Sequence, residues 1–187
     1  MKKITALLLC LVLLGCCAAF AEATEKETIG SVSVNGNFTI KCRLPEGYGI
    51  SITDASDSKI EAMITSEDPA KPEIQLTVVF NEEYAPDGVR MSLNDVSEED
   101  MALIRESFEE ETEVFEYIDA ETAHGTKLLI VKGALGDMKY VDFYSIYNSY
   151  EIEVIALAGA EAESGDLTDE QIQMIIDFLS DMDFEEA

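Results

Sequence analysis

Apolar and polar residues alternate along much of this chain, a pattern typical of strands with one face in a core and one toward solvent. The clearest alternating run extends from Ile74 to Phe80. Comparable runs lie at 50–53, 60–64, 114–119, 127–132, 138–147 and 151–157. The last four are separated by short connections, which join neighbouring antiparallel strands. The chain is therefore predicted to be rich in antiparallel sheet.

An N-terminal hairpin is predicted around Asn35-Gly36, because apolar residues alternate on both sides of this dipeptide. Asn-Gly suits the turn, since both turn positions need positive φ. The alternation continues through Cys42. We therefore expect Cys42 to point into the core as a small hydrophobic residue rather than to act as a reactive thiol.

Two helices are predicted from capping residues followed by apolar residues at helical spacing. Ser97 precedes three acidic residues in a first turn, where the helix dipole favours anions. Thr168 and Gln171 have the spacing of a capping box, and a wide apolar stripe follows over 172–179.

The strand at 138–147 has large apolar residues on both of its faces, so both faces must be covered. Together with the order of elements, this predicts an α+β fold. The expected architecture is an antiparallel β-sheet with helices packed on both faces, an α/β/α sandwich.

The N-terminus has the pattern of a secretory signal peptide: Lys2-Lys3, an apolar run over 4–14 and a small-x-small site at 19–21. We expect a signal peptide over 1–21, with cleavage after Ala21 or nearby, a flexible lead-in over 22–30 and one globular domain over 31–185.

Two alternatives to a cleaved signal stay open. The sequence Leu13-Leu14-Gly15-Cys16 resembles a bacterial lipobox, which would make Cys16 the site of lipidation. The apolar run could also remain as a membrane anchor. All three interpretations place the folded part outside the cytoplasmic membrane, either secreted or in the cell envelope of a bacterium.

Charge narrows the classes of partner. The chain has 39 acidic and 12 basic residues and a formal net charge of −27. Nucleic acid and anionic membranes would repel it, so a cationic protein or peptide is the preferred partner. The same charge predicts a monomer, and the hydrophobic content of 47% is too high for a disordered chain.

Few residues carry candidate catalytic chemistry. His124 is the one histidine and lies in a predicted turn, and three of the four cysteines precede residue 18. We see no nucleophile elbow and no glycine-rich phosphate loop. We therefore predict a protein that is not an enzyme, and we assign it no cofactor.

Carboxylates are abundant, and they leave calcium open as a partner because Ca²⁺ prefers oxygen ligands. No cluster has the spacing of an EF-hand loop, and a solvated acidic surface is the favoured interpretation. Paired catalytic carboxylates would need one carboxyl with a raised pKa in an apolar pocket. The clusters are Asp54 with Asp57, 98–100, 109–113, Asp166 with Asp169, and Asp181 with Asp183.

Tyrosines are concentrated near the strand at 138–147, where Tyr140, Tyr144 and Tyr147 are a candidate ligand surface. Tyrosine combines contact area with a polar tip, which suits sugar or peptide binding. The alternative is cross-strand aromatic packing that stabilises the sheet.

The segment Phe-Thr-Ile-Lys-Cys-Arg-Leu-Pro over 38–45, Gly47-Tyr48, the apolar helix over 172–179 and Phe184 together resemble the PsbP/Mog-type superfamily. The resemblance covers about residues 30–185, although a Trp common near Gly47-Tyr48 in that family is absent here. It implies a PsbP-like α/β/α sandwich and an accessory or binding role without catalysis.

The expected function is that of a secreted or envelope-associated accessory domain that binds a protein, a peptide or a cell-wall component. Two alternatives remain, an extracellular calcium-dependent binding module and a carboxylate-based hydrolase.

Overall fold

The computed structural model describes residues 27–33, 37–56, 58–162 and 165–186. The predicted signal peptide over 1–21, Cys16 and the Asn35-Gly36 turn lie outside these residues. The described elements are, in chain order, β1 (Glu27–Ser33), β2 (Asn37–Cys42), β3 (Tyr48–Ala55), β4 (Lys59–Ser66), β5 (Glu73–Phe80), three short 3-10 helices (Glu82–Tyr84, Pro86–Gly88 and Leu93–Asp95), α1 (Glu98–Glu111), β6 (Glu113–Glu121), β7 (Lys127–Leu135), β8 (Met138–Tyr147), β9 (Tyr150–Leu157), α2 (Asp169–Ser180) and β10 (Asp183–Glu186).

The main sheet has seven strands in the order β3-β4-β5-β9-β8-β7-β6, and every neighbouring pair is antiparallel. Two series of hairpins, β3–β5 and β6–β9, lie side by side. They join where β5 pairs with β9, from Glu73 opposite Leu157 to Phe80 opposite Tyr150. The prediction of antiparallel strands connected by short turns is confirmed for these elements.

A second sheet has the order β1-β2-β10. The predicted pairing of β1 with β2 is confirmed, since Ser33 lies opposite Asn37. β1 begins at Glu27, so the strand starts within the predicted lead-in. β10 pairs with β2 from Asp183 opposite Lys41 to Glu186 opposite Phe38. β10 was not predicted from the sequence, because three of its four residues are acidic and only the pairing with β2 makes this segment extended.

The main apolar core lies between one face of the seven-stranded sheet and a layer made of β2 and α2. Ile40 and Cys42 contribute from β2, and Ile175 and Phe178 contribute from α2. Cys42 is completely buried, which confirms its predicted place in the core. Its lack of reactivity stays a prediction.

A smaller apolar cluster lies beneath α1. Leu129 and Val131 of β7 are buried there, and Phe108 of α1 packs with Tyr144 of β8 at a ring-centroid distance of 6.0 Å. The apolar residues of α1 therefore cover the end of the sheet formed by β6, β7 and β8.

The predicted α/β/α sandwich, with helices packed on both faces of the sheet, is wrong. The protein is built mainly from a seven-stranded antiparallel sheet, and the described residues contain only two α-helices. α1 covers just the β6–β8 end of its side, and the layer over the main core combines α2 with residues of β2. The apolar residues on both faces of β8 indicated that each face is covered by another element. They did not indicate whether that element is a helix or a strand, since both bury apolar area.

Both predicted helix caps are confirmed. Ser97 Oγ accepts a hydrogen bond from the backbone of Asp100, and Thr168 and Gln171 form a reciprocal capping box. Within the described part of the chain, no helix combines the length and apolar character that a membrane crossing requires.

Gly133 allows Tyr140 to lie across β7, because these two residues are directly opposite each other in the β7–β8 pair. A Cβ at position 133 would lie 2.7 Å from the Tyr140 hydroxyl oxygen and 2.8 Å from the Glu113 carbonyl oxygen. Both distances are far below normal contact, so a side chain at 133 displaces the ring or the neighbouring strand.

We predict that Gly133→Ala lowers the free energy of unfolding by about 1–3 kcal/mol, the usual cost of an added group in a packed site. Gly49→Ala is the matched control, because a Cβ there meets nothing within 4 Å. Urea denaturation of both variants measures the difference. Equal stability of the two variants would contradict the prediction.

Candidate functional site: a buried carboxyl pair beside an open sheet face

The part of the main sheet that α1 leaves uncovered has a mixed surface, with carboxylates and other polar side chains beside the half-buried Met63, Val79 and Ile155. The strand register places Glu61 opposite Thr77 and Thr77 opposite Glu153, so these side chains lie on one side of the sheet. Their neighbours along each strand point to the core. We define the open face as Glu61, Met63, Gln75, Thr77, Glu151 and Glu153, all of which are half-buried or exposed.

Asp142 of β8 lies between the open face and α1, and only 2% of it is exposed. It is directly opposite Val131 on one side and Ile155 on the other, and it is hydrogen-bonded to Glu153 of β9. Two ionised carboxylates can only accept hydrogen bonds, so this contact requires a proton on one of them. The Oδ1 atom of Asp142 is buried and has no hydrogen-bond partner.

Burial is the main reason that the pKa of Asp142 lies well above its ordinary value, and the negative charge of Glu153 raises it further. Burial also raises the pKa of Glu153, with contributions from Glu151 and Glu111, whereas the hydrogen bond from Asp142 acts in the opposite direction. We therefore place the shared proton on Asp142 and the single negative charge of the pair on Glu153.

Tyr140 and Tyr144 flank Asp142 along β8 and attach it to the C-terminal end of α1. Thr112 Oγ1 donates to the Phe108 carbonyl at 3.0 Å, so the 2.5 Å contact between Thr112 and Tyr140 has the tyrosine as donor. On the other side, Phe108 packs against the Tyr144 ring. These contacts hold the end of α1 over the buried carboxyl group.

Glu151 is held in place by two donors from different elements. The Tyr144 hydroxyl donates to its Oε1 at 2.7 Å, and Asn81 Nδ2 donates to its Oε2 at 3.0 Å. The Tyr84 hydroxyl lies 3.3 Å from that of Tyr144 and completes the chain. Burial and the charge of Glu151 raise the pKa of Tyr144, so its hydroxyl keeps its proton and acts as a donor.

Asp142 and Glu153 were not predicted from the sequence as site residues. A signal was present, because Asp142 is an acidic residue within a strand that was predicted to be buried on both faces. Such a residue has to be paired or protonated. Glu153 had no comparable signal, since its partner depends on the β8–β9 register.

The structure places the three predicted ligand tyrosines on different faces of β8. Tyr140 and Tyr144 share the α1 side and are buried, whereas Tyr147 has the opposite parity and is 40% exposed. Their common role in ligand binding stays a prediction. Tyr140 packs against Gly133 across β7, and Tyr144 packs against Phe108 of α1, so these contacts of the two rings are with a glycine and a helix rather than with aromatic rings of neighbouring strands.

His124 lies in the turn between β6 and β7, as predicted. It borders a cleft of about 400 Å³ near the end of α2, together with Tyr147, Ser145 and Asp183. Ser145 Oγ already donates to the Lys127 carbonyl at 2.8 Å. Ser145 is therefore engaged in a contact between β7 and β8, and nothing in the arrangement of the cleft selects a ligand.

The acidic clusters considered for calcium have structural contacts where they are described. Asp100 bonds to Ser97, Asp166 forms an ion pair with Lys139 at 2.9 Å, and Asp181 accepts from the Arg43 backbone at 2.7 Å. Asp57 lies outside the described residues. Across the described ranges, no group of three or more His, Cys, Asp or Glu residues converges as metal ligands.

Comparison with known proteins adds no relative: no protein-family model matches the sequence, and no curated protein matches it. The resemblance to the PsbP/Mog-type superfamily therefore stays a prediction, and the sandwich that it implied is replaced by the sheet described above.

We predict that Tyr144→Phe lowers the free energy of unfolding by about 1 kcal/mol, because a half-buried hydrogen bond to Glu151 is lost. Tyr147→Phe, at an exposed position of the same strand, should change it by less than about 0.5 kcal/mol. Thermal or urea unfolding of the two variants provides the comparison. A larger loss for Tyr147→Phe would argue against the hydrogen-bonded role of Tyr144.

The raised pKa of Asp142 predicts that the contribution of this residue to stability falls as the pH rises. The folded state holds this proton more tightly than the unfolded chain does, so its contribution is complete below the ordinary carboxyl pKa and is lost as the pH passes the raised pKa. Asn has the same shape and can donate to Glu153 without titrating.

Asp142→Asn should therefore match the wild type near about pH 4 and exceed it near about pH 8, by on the order of 1 kcal/mol. For a domain of this size the gain is about 2–4 °C in melting temperature. Asp137→Asn in the exposed β7–β8 turn removes the same charge and serves as the control. Equal gains in both variants, or no gain by Asp142→Asn near about pH 8, would refute the prediction.

Proposed function

We propose that this protein is a secreted or envelope-associated accessory domain that binds a cationic segment of a protein or peptide on its open face. The observation that carries this proposal is the concentration of carboxylates there, with Glu151 and Glu153 of the face beside the buried Asp142. The acidic neighbours that raise the pKa of Glu153 also create a negative potential that attracts cations.

The charges on the open face are only partly balanced. Lys59 lies beside the face and forms ion pairs with Glu61 at 2.5 Å and with Asp54 at 3.8 Å. Glu151 is held by the neutral donors Tyr144 and Asn81, which leaves its negative charge in place. A basic segment laid across β4, β5 and β9 would meet fixed carboxylates on a rigid sheet, which gives specificity and a fast association rate.

The shape of the site favours binding over catalysis. The Asp142 carboxyl is almost completely buried, so a molecule from solvent would reach the pair through Glu153. General acid catalysis needs the acid within hydrogen-bond distance of the reacting atom. The raised pKa of Asp142 meets the need of the hydrolase alternative for a protonated acid. The burial of Asp142 keeps that acid away from the reacting atom of a substrate.

The test is the binding of a fluorescent peptide of alternating arginine and serine, measured by anisotropy, against a matched peptide of alternating glutamate and serine. We expect the basic peptide alone to bind. The double variant Glu151→Gln, Glu153→Gln should weaken binding about tenfold, which corresponds to about 1.4 kcal/mol. Added salt should weaken binding further, because the contacts are electrostatic.

The control is the double variant Glu67→Gln, Asp137→Asn, which removes the same charge from exposed loops. It should change the dissociation constant less than about twofold, because exposed charges at a distance are screened. Equal losses in the two double variants would show that net charge alone attracts the peptide. That result, or no binding at all, would end the proposal.

A further inference from the structure

We infer that the Asp142–Glu153 pair is the anchor of the open face and that it exchanges its shared proton for a lysine or arginine side chain of the bound segment. This inference rests on the proposed function. The cation binds at this pair on the open face, and a proton is released when it binds.

The first support is the geometry of Asp142. Its Oδ1 atom is buried without a hydrogen-bond partner, although a buried polar atom in a folded protein normally has one. The side chain is 2% exposed, yet its partner Glu153 is only half-buried and belongs to the open face. Glu153 is therefore the connection between a buried, incompletely satisfied acid and the surface.

The second support is the set of charges that face the pair. The titratable neighbours on β8 are Tyr140 and Tyr144, both of which keep their protons because their pKa values are raised. β9 contributes Glu151, and α1 contributes Glu111 from its C-terminal end. The nearest positions of β7 and β5 are Val131, opposite Asp142, and Thr77, opposite Glu153, and neither titrates.

All the ionised neighbours just named are thus negative, and the proton on Asp142 keeps that carboxyl group neutral. The backbone of α1 adds to this potential, since the C-terminal end of a helix is its negative end. Burial is the largest reason for the raised pKa of Asp142, and the second reason, the negative charge of Glu153, also attracts any other cation that reaches the site.

The exchange is a simple acid dissociation coupled to binding. Before binding, Asp142 is neutral and donates to the Glu153 carboxylate. When a lysine ammonium or arginine guanidinium contacts Glu153, the added positive charge lowers the pKa of Asp142, and its proton passes to solvent. No covalent bond forms other than the one between that proton and its acceptor in the buffer.

This exchange makes affinity depend on pH in a defined direction. Release of one proton strengthens binding as the pH rises, by at most tenfold per pH unit between the pKa values of the bound and free states. Binding to carboxylates without the exchange would lose its pH dependence above about pH 6, where exposed carboxyl groups are already ionised.

The experiment is isothermal titration calorimetry of the full chain with the arginine-serine peptide, from about pH 6 to about pH 8, in phosphate and in imidazole. These buffers differ in ionisation enthalpy, so the difference in observed heat gives the number of protons released. We expect the wild type to release between about half a proton and one proton at some pH in this range.

Asp142→Asn is the decisive variant, since its side chain cannot titrate and keeps a donor toward Glu153. It should bind the peptide with less than about half of the proton release of the wild type, because Glu153 is then the one member of the pair that can titrate, and its affinity should change less with pH between about pH 6 and about pH 8. Glu67→Gln, in an exposed loop, should release as many protons as the wild type.

The outcomes separate the two proposals. No peptide binding in any buffer would overturn the proposed function and this inference with it. Binding without proton release, or equal release by wild type and Asp142→Asn, would leave the proposed function in place and overturn the exchange. Competition by Ca²⁺ but not by Mg²⁺ at matched ionic strength would show that the pair takes a metal ion, and would also overturn the inference.

Discussion

A carboxyl group inside a protein must keep its proton or have a compensating charge, and Asp142 imposes this constraint on one corner of the molecule. It lies on a strand whose two faces are both covered, between Val131 and Ile155, where water does not reach it. The neighbouring side chains are arranged around a protonated acid. Glu153 accepts its hydrogen bond, and the two flanking tyrosines bring α1 over it.

Much of the fold follows from local patterns that are visible in the sequence. Alternation in β5 and the capping box at Thr168 were sufficient to predict a strand and a helix, because each depends on residues close together in the chain. The layer arrangement could not be predicted in this way. Apolar residues on both faces of β8 show that other elements pack on both faces of this strand. They do not distinguish a helix from a pair of strands, because both can bury the same area. β10 illustrates the limit most clearly, since its pairing with β2 comes from the far end of the chain.

The site was less accessible from sequence than the fold. An acidic residue within a buried strand is a visible anomaly, so Asp142 could have been selected from the sequence on physical grounds. Its partner Glu153 could not be selected in the same way. Glu153 lies near Asp142 because it is opposite Tyr144 in the β8–β9 pair, and this register depends on the length of the intervening turn. The tyrosines were visible as a group, but strand parity separates Tyr147 from the other two.

The acidic run over 109–111 acquires a physical context from this arrangement. These residues end α1, where the helix dipole disfavours negative charge, and Glu111 adds to the charge felt by Glu153. A fold selected for stability alone would place a lysine at such a helix end or remove the buried acid. The chain does neither, and it accumulates carboxylates from α1, β8 and β9 around one proton. Repulsion of this kind lowers stability and is typical of functional sites, where strain is kept because a ligand relieves it. A cation from a partner would relieve it here, which is why the corner beside α1, rather than the acidic surface as a whole, is the place where we expect this protein to recognise its partner.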